Sequence, residues 1–177
     1  MLGFCTPHYQ AETVLDLTPE CLRDLGIDAL LLDVDCTLKS YKTREAAPEV
    51  ADWVRRLREA GIGVCLVSNG RAPRIRAFAQ SLGVPFVAKA LKPLPFGCRR
   101  AAFSLGSDGR RTAMVGDQLF ADIMAGRLAG ISTILVRPIR PEEEPWYTRL
   151  KRPLERWLLG RMAPQSVLDR SKQTAER

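Results

Sequence analysis

Short apolar runs alternate along the chain with longer segments in which apolar residues recur every three or four positions. The apolar runs predict five strands, at residues 28–33, 63–67, 85–87, 112–115 and 132–136. The segments between them predict helices, at about 19–26, 48–60, 72–82, 95–105 and 119–129. Because strands alternate with helices of this length, we expect a Rossmann-like, three-layer α/β/α fold with a parallel five-stranded sheet.

The remaining segments indicate how the chain is organised. Residues 1–136 would form the α/β core, including an N-terminal helix capped by Thr18. Residues 137–162 predict a stiff, proline-rich linker followed by an amphipathic C-terminal segment. Residues 163–177 are polar and predict a frayed tail.

Two of the predicted strands end in acidic pairs. Asp33 and Asp35 follow an almost purely apolar strand, and an extended chain points both side chains to the same side. At ~4 Å and an effective dielectric of about 20 they repel by roughly 4 kcal/mol, which a divalent cation or a shared proton relieves. Asp117 and Asp122 follow a second such strand. Ligands of parallel sheets bind beyond the carboxyl ends of the strands, so the four carboxylates predict a Mg²⁺ site there.

The motifs at the strand ends together resemble those of the haloacid dehalogenase (HAD) superfamily. They are Asp-x-Asp-x-Thr at 33–37, Val-Ser-Asn at 67–69, Lys-Pro at 92–93 and Gly-Asp-x-x-x-x-Asp at 116–122. One motif alone would be a weak signal, but four in this order, each after a strand, are specific. The resemblance implies the core fold of that superfamily.

A narrower resemblance covers roughly residues 1–162. Thr-Pro-Glu at 18–20, the run 89–93, the string 116–122 and the aromatic tail from Trp146 are similar to the YqeG-type subfamily of class IIIA phosphatases. That subfamily is similar to the phosphatidylglycerophosphate phosphatases of mitochondria and plastids. Two departures stand out, because Cys36 and Gly70 occupy positions where Asn is common. Neither position supplies an expected catalytic side chain, although a thiol at Cys36 could make an enzyme oxidant-sensitive.

The resemblance implies a role for each motif residue in phosphoryl transfer. Asp33 attacks phosphorus to form an aspartyl phosphate, while Asp35 protonates the leaving alcohol and then activates water. Ser68 and the backbone N–H of Asn69 hold the phosphoryl oxygens. Lys92 neutralises the developing charge and fixes Asp33, with Lys89 as the competing lysine.

The resemblance also implies a metal site. Asp33, the backbone carbonyl of Asp35, and Asp117 would bind Mg²⁺. Asp122 would not bind the ion directly but would act through a water molecule or by holding Lys92. The alternative is that Asp122 is an exposed helix residue without a role in the site. Thr37 belongs with the substrate-binding residues and would hydrogen-bond the loop or the backbone of Asp35.

The spacing of the motifs leaves no room for a cap domain. Between Asp33 and Ser68 lie 34 residues, and between Ser68 and Lys92 lie 23, which the predicted helices and strands already occupy. A lid with a core of its own needs about 50 residues or more. We therefore expect an open active site that a large substrate or a bilayer surface would close.

The amino-acid composition and net charge limit the kinds of site and the cellular location that the chain can have. The chain has 177 residues with a net charge of +7, which is either a solvated basic surface or an attraction to phosphates. Its single histidine, His8, argues against a His-based zinc site, and its five scattered cysteines argue for reduced thiols. No run approaches the ~20 apolar residues of a membrane span, and we see no secretory signal. We expect a cytoplasmic protein, with a peripheral position on the inner face of the membrane as a further interpretation.

The C-terminal segment offers a membrane contact. Between 146 and 162, six apolar residues fall within a helical arc of roughly 120°: Trp146, Tyr147, Leu150, Leu154, Trp157 and Leu158. Four basic residues fall on the opposite side: Arg149, Lys151, Arg152 and Arg156. This pattern suits an interfacial helix, and the alternative is a helix packed on the domain with its cationic side in solvent. Pro153 forbids an undisturbed single helix unless a helix starts there.

These observations favour a Mg²⁺-dependent phosphomonoesterase that dephosphorylates phosphatidylglycerophosphate. One alternative is a phosphatase for a soluble nucleotide, a sugar phosphate or a nucleic-acid end. A second is a non-catalytic binding module on the same scaffold, which the intact motif residues argue against. No aromatic-rich nucleic-acid module is recognisable, and the sequence gives no indication of the oligomeric state.

Overall fold

The structure is a computed structural model that describes residues 3–162 and 164–167. Its strands form one parallel sheet: β1 (Tyr9–Gln10), β2 (Ala29–Leu32), β3 (Gly63–Val67), β4 (Phe86–Val87), β5 (Thr112–Gly116), β6 (Ser132–Leu135) and β7 (Gln165–Ser166). Across the sheet their order is β4-β3-β2-β5-β6-β1-β7. The predicted parallel α/β sheet is confirmed, and β2 to β6 are its five predicted strands. The strand count differs, because β1 and β7 extend the sheet at one edge with two residues each.

The helices follow the strands as expected. They are α1 (Pro19–Asp24), α2 (Pro48–Glu59), α3 (Ala72–Leu82), α4 (Phe96–Ser104), α5 (Met124–Ala129), α6 (Trp146–Arg149) and α7 (Arg152–Leu159). The predicted helix over 119–129 begins as a π-helical turn at Leu119–Ile123 before it continues as α5. The C-terminal segment forms two short helices, and Pro153 lies in the first turn of the second.

The sheet is buried between two apolar layers because the central strands are apolar on both faces. Side chains alternate along a strand, so Leu30 and Leu32 of β2 face one layer, with Trp53 of α2, while Leu31 faces the other, with Met114. Trp53 also donates its indole N–H to the carbonyl of Leu17 at 2.9 Å. This bond ties α2 to the N-terminal segment.

The C-terminal segment packs on the core through apolar side chains, with Leu159 and Met162 partly buried beside Leu158. Leu158 of α7 is buried in a third cluster with Leu119, Ile123 and Leu135. Beyond it, residues 165–166 pair with β1, although the polar tail was predicted to begin at 163. Residues 163 and 168–177 lie outside the described residues, and the division of the chain at 136 and 162 stays a prediction.

The topology places the motif residues side by side. β2 lies between β3 and β5, with Leu32 opposite both Leu66 and Val115. The residues that follow these three strands therefore meet at one edge of the sheet. Within the described residues, only a loop and α2 separate β2 from β3, and only α3 separates β3 from β4, so no cap domain is inserted there. None of the described helices has the length and apolar character needed to cross a membrane.

Candidate active site

The ends of the central strands open into a cleft of about 630 Å³. Six of the predicted site residues line it: Asp33, Asp35, Ser68, Asn69, Lys92 and Asp122. The other two, Thr37 and Asp117, are buried and do not line this cleft. Thr37 lies with its hydroxyl oxygen 3.2 Å from Asp33 Oδ2 and 3.0 Å from Asp117 Oδ1. The hydroxyl has one proton and can donate it to either carboxylate. Thr37 therefore hydrogen-bonds side chains, whereas the sequence predicted a bond to the loop or to the backbone of Asp35.

Lys92 is the cation at the centre of the cleft. Its buried Nζ donates to Asp33 Oδ1 at 2.5 Å, to Asp122 Oδ1 at 2.6 Å and to the carbonyl of Val67 at 2.8 Å. Burial lowers the pKa of Lys92, but Asp122 and Asp33 outweigh it and hold the pKa well above its usual value. The competing candidate, Lys89, is exposed. Lys92 therefore contacts Asp33, and Asp122 holds the ammonium of Lys92 in place.

The turn after β3 holds Lys92 in place from the backbone side. The side chain of Asn69 donates to the carbonyl of Lys92 at 2.9 Å and accepts from its N–H at 2.8 Å. The hydroxyl of Ser68 accepts from the N–H of Gly70 at 3.0 Å. From the sequence we assigned Asn69 only a backbone contact to the substrate, so its side-chain contact with Lys92 was missed.

Three carboxylates beside Lys92 form a group that could hold a metal ion. Oxygens of Asp33, Asp117 and Asp122 lie within 4.8 Å of one another, and all three residues are buried. Gly116 makes this possible, since a Cβ there would lie 2.3 Å from Asp122 Cγ. Hard divalent cations prefer such oxygen ligands.

The electrostatics of this cluster show why a cation would suit it. Burial raises the pKa of Asp33 to about 6, with Lys92 opposing and Asp122 adding to the rise. Burial and then the neighbouring charge of Asp122 raise the pKa of Asp117 to about 8. Each shift means that further positive charge would stabilise the ionised carboxylates, and the donor set therefore fits a divalent cation.

Asp35 is separated from this cluster by its own partners. Its Oδ1 accepts from Lys39 Nζ at 3.0 Å, and both of its oxygens accept from the guanidinium of Arg74. Burial raises the pKa of Asp35, but the hydrogen bonds from Arg74 and Lys39 outweigh it and leave the pKa below its usual value. Neither partner was predicted. Lys39 lies in a loop, and no sequence motif includes it. Arg74 lies in the first turn of α3, shortly after Ser68 and Asn69, and this position could have suggested a site residue.

Arg152 corrects the sequence interpretation of the C-terminal segment. The sequence places it on the basic side of the segment, opposite the apolar arc, but it is largely buried and donates to the backbone carbonyl of Asp117 at 2.7 Å. It also pairs with the carboxylates of Asp117, Glu144 and Glu155. The arc on which Arg152 was placed assumed a continuous helix over 146–162, although Pro153 argued for a helix that starts there. In the structure α6 ends at Arg149 and α7 begins at Arg152, so the segment is two helices.

Cys36 lies in the Asp-x-Asp-x-Thr loop with φ +65°, in the left-handed region. Asn adopts this region more readily than most residues, which is a physical reason for Asn to be common at this position. Burial, with Asp117 and Glu144, raises the pKa of the Cys36 thiol well above its usual value. A raised pKa lowers the fraction of thiolate, the form that reacts with oxidants, and the oxidant sensitivity considered from the sequence stays a prediction.

Comparison with known proteins identifies the family. The family model for haloacid dehalogenase-like hydrolases matches residues 8–130. The chain is 32% identical over 157 residues to "Probable phosphatase YqeG" of Bacillus subtilis, covering 89% of this chain and 91% of the relative. It is 25% identical to "Phosphatidylglycerophosphate phosphatase 1, chloroplastic/mitochondrial" of Arabidopsis thaliana, covering 89% of this chain but only 48% of that protein.

A solved structure shares the fold at lower identity. The cobalt-bound deoxy-D-mannose-octulosonate 8-phosphate phosphatase of Haemophilus influenzae aligns with a TM-score of 0.53 and 20% identity, over 64% of this chain and 70% of that one. This likeness concerns the fold alone. The family match covers most of the chain and the bacterial relative aligns along nearly all of it, so the chain belongs to the haloacid dehalogenase-like hydrolases.

Proposed function

We propose that this protein is a Mg²⁺-dependent phosphomonoesterase that acts through an aspartyl phosphate on Asp33. One observation carries the proposal: Asp33 lies at the floor of an open cleft, 2.5 Å from the buried ammonium of Lys92 and beside two further buried carboxylates. A carboxylate fixed by a cation at the end of a strand is suited to in-line attack on phosphorus.

The proposed reaction has two steps. The carboxylate of Asp33 attacks phosphorus while the P–O bond to the alcohol breaks. Asp35 supplies the proton that the leaving oxygen takes up, and it must gain that proton after the cations that lower its pKa have been displaced. Water, deprotonated by Asp35, then attacks the phosphorus of the aspartyl phosphate, which releases inorganic phosphate and restores Asp33. Ser68 and the backbone N–H of Asn69 would hold the phosphoryl oxygens, and Lys92 would offset their charge.

The acidic cluster supports a metal requirement. Asp33, the backbone carbonyl of Asp35, and Asp117 would hold the ion, with Asp122 engaged by Lys92. When bound, Mg²⁺ would supply charge neutralisation at the phosphoryl group.

We expect hydrolysis to require Mg²⁺ and to be inhibited by Ca²⁺. Mg²⁺ keeps compact octahedral geometry, whereas Ca²⁺ accepts more and looser ligands and can take both oxygens of Asp33, which would occupy the attacking atom. Initial rates with each ion, after removal of metal by a chelator, would test this. Full activity in chelator, or equal rates with both ions, would refute the metal assignment.

We further propose that the substrate is phosphatidylglycerophosphate at a membrane surface. The likeness to the Arabidopsis phosphatase supports this, and so does the lack of an inserted cap domain in the part of the chain that the structure describes. The C-terminal helices add support, because Thr148 and Lys151 line the cleft. The same C-terminal segment carries four exposed large apolar side chains: Trp146, Leu150, Leu154 and Trp157. A bilayer that took up these side chains would hold a lipid phosphate next to the cleft.

Replacing Trp146 and Trp157 with Ala should lower activity on lipid micelles by roughly thirtyfold, because each ring loses on the order of 1 kcal/mol of interfacial burial and the two losses add. Activity on a soluble phosphomonoester should change much less, since Trp146 and Trp157 do not line the cleft. Phe103→Ala is the matched control, because Phe103 is 87% exposed on α4 and away from the cleft lining.

Two results would count against the lipid substrate. Equal losses on micelles and on the soluble ester would mean that the tryptophans act through stability. Equal preference of the unmodified protein for the lipid and for its soluble headgroup would favour a soluble substrate such as a nucleotide or sugar phosphate.

A further inference from the structure

Arg74 lines the cleft beside Asp35 and pairs with it. Arg74 donates from Nη1 to Asp35 Oδ1 at 2.6 Å and from Nη2 to Oδ2 at 2.5 Å, a bidentate pair. The Arg74 side chain is 43% exposed and the Asp35 side chain only 18%, so the guanidinium lies on the solvent side of the carboxylate. Access to Asp35 from the cleft therefore depends on where Arg74 is.

The local sequence makes room for this contact. Arg74 stands in the first turn of α3, four residues after Gly70. A Cβ at Gly70 would lie 2.5 Å from Arg74 Nη2 and 3.0 Å from Ile75 Cδ1. A larger residue at position 70 would therefore displace the guanidinium. The lack of a side chain at Gly70 and the Arg74–Asp35 pair thus belong to one arrangement.

Arg74 and Lys39 hold Asp35 in different ways. Lys39 is buried and contacts one oxygen of Asp35, and it also donates to the carbonyl of Ser40 at 3.1 Å. Arg74 is half exposed and contacts both oxygens. In the reaction proposed above, one Asp35 oxygen must face the leaving oxygen. The guanidinium must then leave at least that oxygen, and ion pairs near the surface are weak enough to exchange partners.

We propose that Arg74 is a substrate-responsive residue, which moves from Asp35 to a second anionic group on the substrate. The inference rests on the proposed phosphatase function and names its substrate class: phosphomonoesters that carry a further phosphate or phosphodiester. The planar fork of a guanidinium suits such a group. Arg71 and Lys151 line the same cleft, so the second anion would meet three cations there. A lipid headgroup and a soluble bisphosphate share this chemistry.

The test compares two soluble substrates that differ only in the second anion, propyl phosphate and propane-1,3-diol bisphosphate. The unmodified protein should show the higher kcat/KM on the bisphosphate. In Arg74→Ala the ratio of the two kcat/KM values should fall by about tenfold or more, the loss typical of a charge-assisted hydrogen bond, and mostly through KM. Arg74→Lys, which keeps the charge but not the fork, should give an intermediate ratio.

Two controls keep the test specific. Arg76→Ala removes the same charge from an exposed position of α3 that does not line the cleft, and should leave the ratio unchanged. Binding of the bisphosphate, measured by calorimetry in an Asp33→Asn background, should weaken when Arg74→Ala is added. This readout does not depend on turnover.

The outcomes separate the inference from the function on which it rests. An unchanged ratio in Arg74→Ala, with equal losses on both substrates, would show that Arg74 only positions Asp35 and would overturn the inference. Failure of the unmodified protein to hydrolyse any of the phosphomonoesters would overturn the proposed function instead. A third substrate, the lipid in mixed micelles, identifies the source of the second anion. If Arg74→Ala loses a similar factor in kcat/KM on the lipid, the anion that Arg74 binds is the phosphodiester of the headgroup. If it loses none, Arg74 acts only on soluble substrates.

Discussion

Asp33→Asn should lower phosphomonoester hydrolysis by about 10³-fold or more, the scale seen when a covalent nucleophile is removed. An amide cannot attack phosphorus, yet Asn is nearly isosteric with Asp. Its carbonyl oxygen can still accept the hydrogen bond that Asp33 takes from Lys92 at 2.5 Å. Steady-state rates on a soluble phosphomonoester in Mg²⁺ measure the loss.

The same variant should stay folded. It removes one of three clustered negative charges, so thermal stability without Mg²⁺ should hold or rise. Asp24→Asn, at an exposed position of α1, is the matched control and should keep full activity. Hydrolysis by Asp33→Asn near the rate of the unmodified protein would exclude Asp33 as the nucleophile.

Arg152→Ala should destabilise the protein by about 3–5 kcal/mol, the usual loss when one partner of a buried ion pair is removed. Asp117, Glu144 and Glu155 are all buried, and the guanidinium of Arg152 contacts each of them. Without it their charges repel at close range. Urea unfolding measures the change, and activity should fall as well because Asp117 loses a partner.

A control and a double variant sharpen this prediction. Arg149→Ala removes an exposed charge from the same segment and should change stability by less than about 0.5 kcal/mol. Adding Glu144→Gln to Arg152→Ala should recover part of the loss, since one buried charge is then removed. If Arg152→Ala behaved like Arg149→Ala, α7 would not be part of the site, contrary to the contacts described above.

The sheet could be predicted where strands are buried on both faces. β2 reads as Ala-Leu-Leu-Leu with every side chain buried, and β3 and β5 are similar, so continuous apolar runs reveal them. β1 and β7 have only two residues each, too few for a periodic pattern. Their place in the sheet is set by contacts with β6 and with each other, which the sequence does not display.

The site residues that could be predicted are likewise those that follow the central strands. Asp33, Ser68 and Asp117 could be grouped in advance because each follows a central strand, and parallel strands bring their ends together. Arg74 and Arg152 were not foreseen, because their positions depend on how a helix and the C-terminal segment dock. The residues around Arg152 in the sequence do not show that it is buried. Its burial follows from its contacts with the carboxylates of Asp117, Glu144 and Glu155.

The most direct test of the central proposal is to trap the covalent intermediate. Acid-quenched enzyme, taken during turnover with Mg²⁺, is treated with borohydride, which reduces an aspartyl phosphate to homoserine, and the peptides are sequenced by mass spectrometry. We expect homoserine at position 33 in the unmodified protein and none in Asp33→Asn. Turnover without any such product, or with homoserine at another aspartate, would contradict the assignment of Asp33 as the nucleophile.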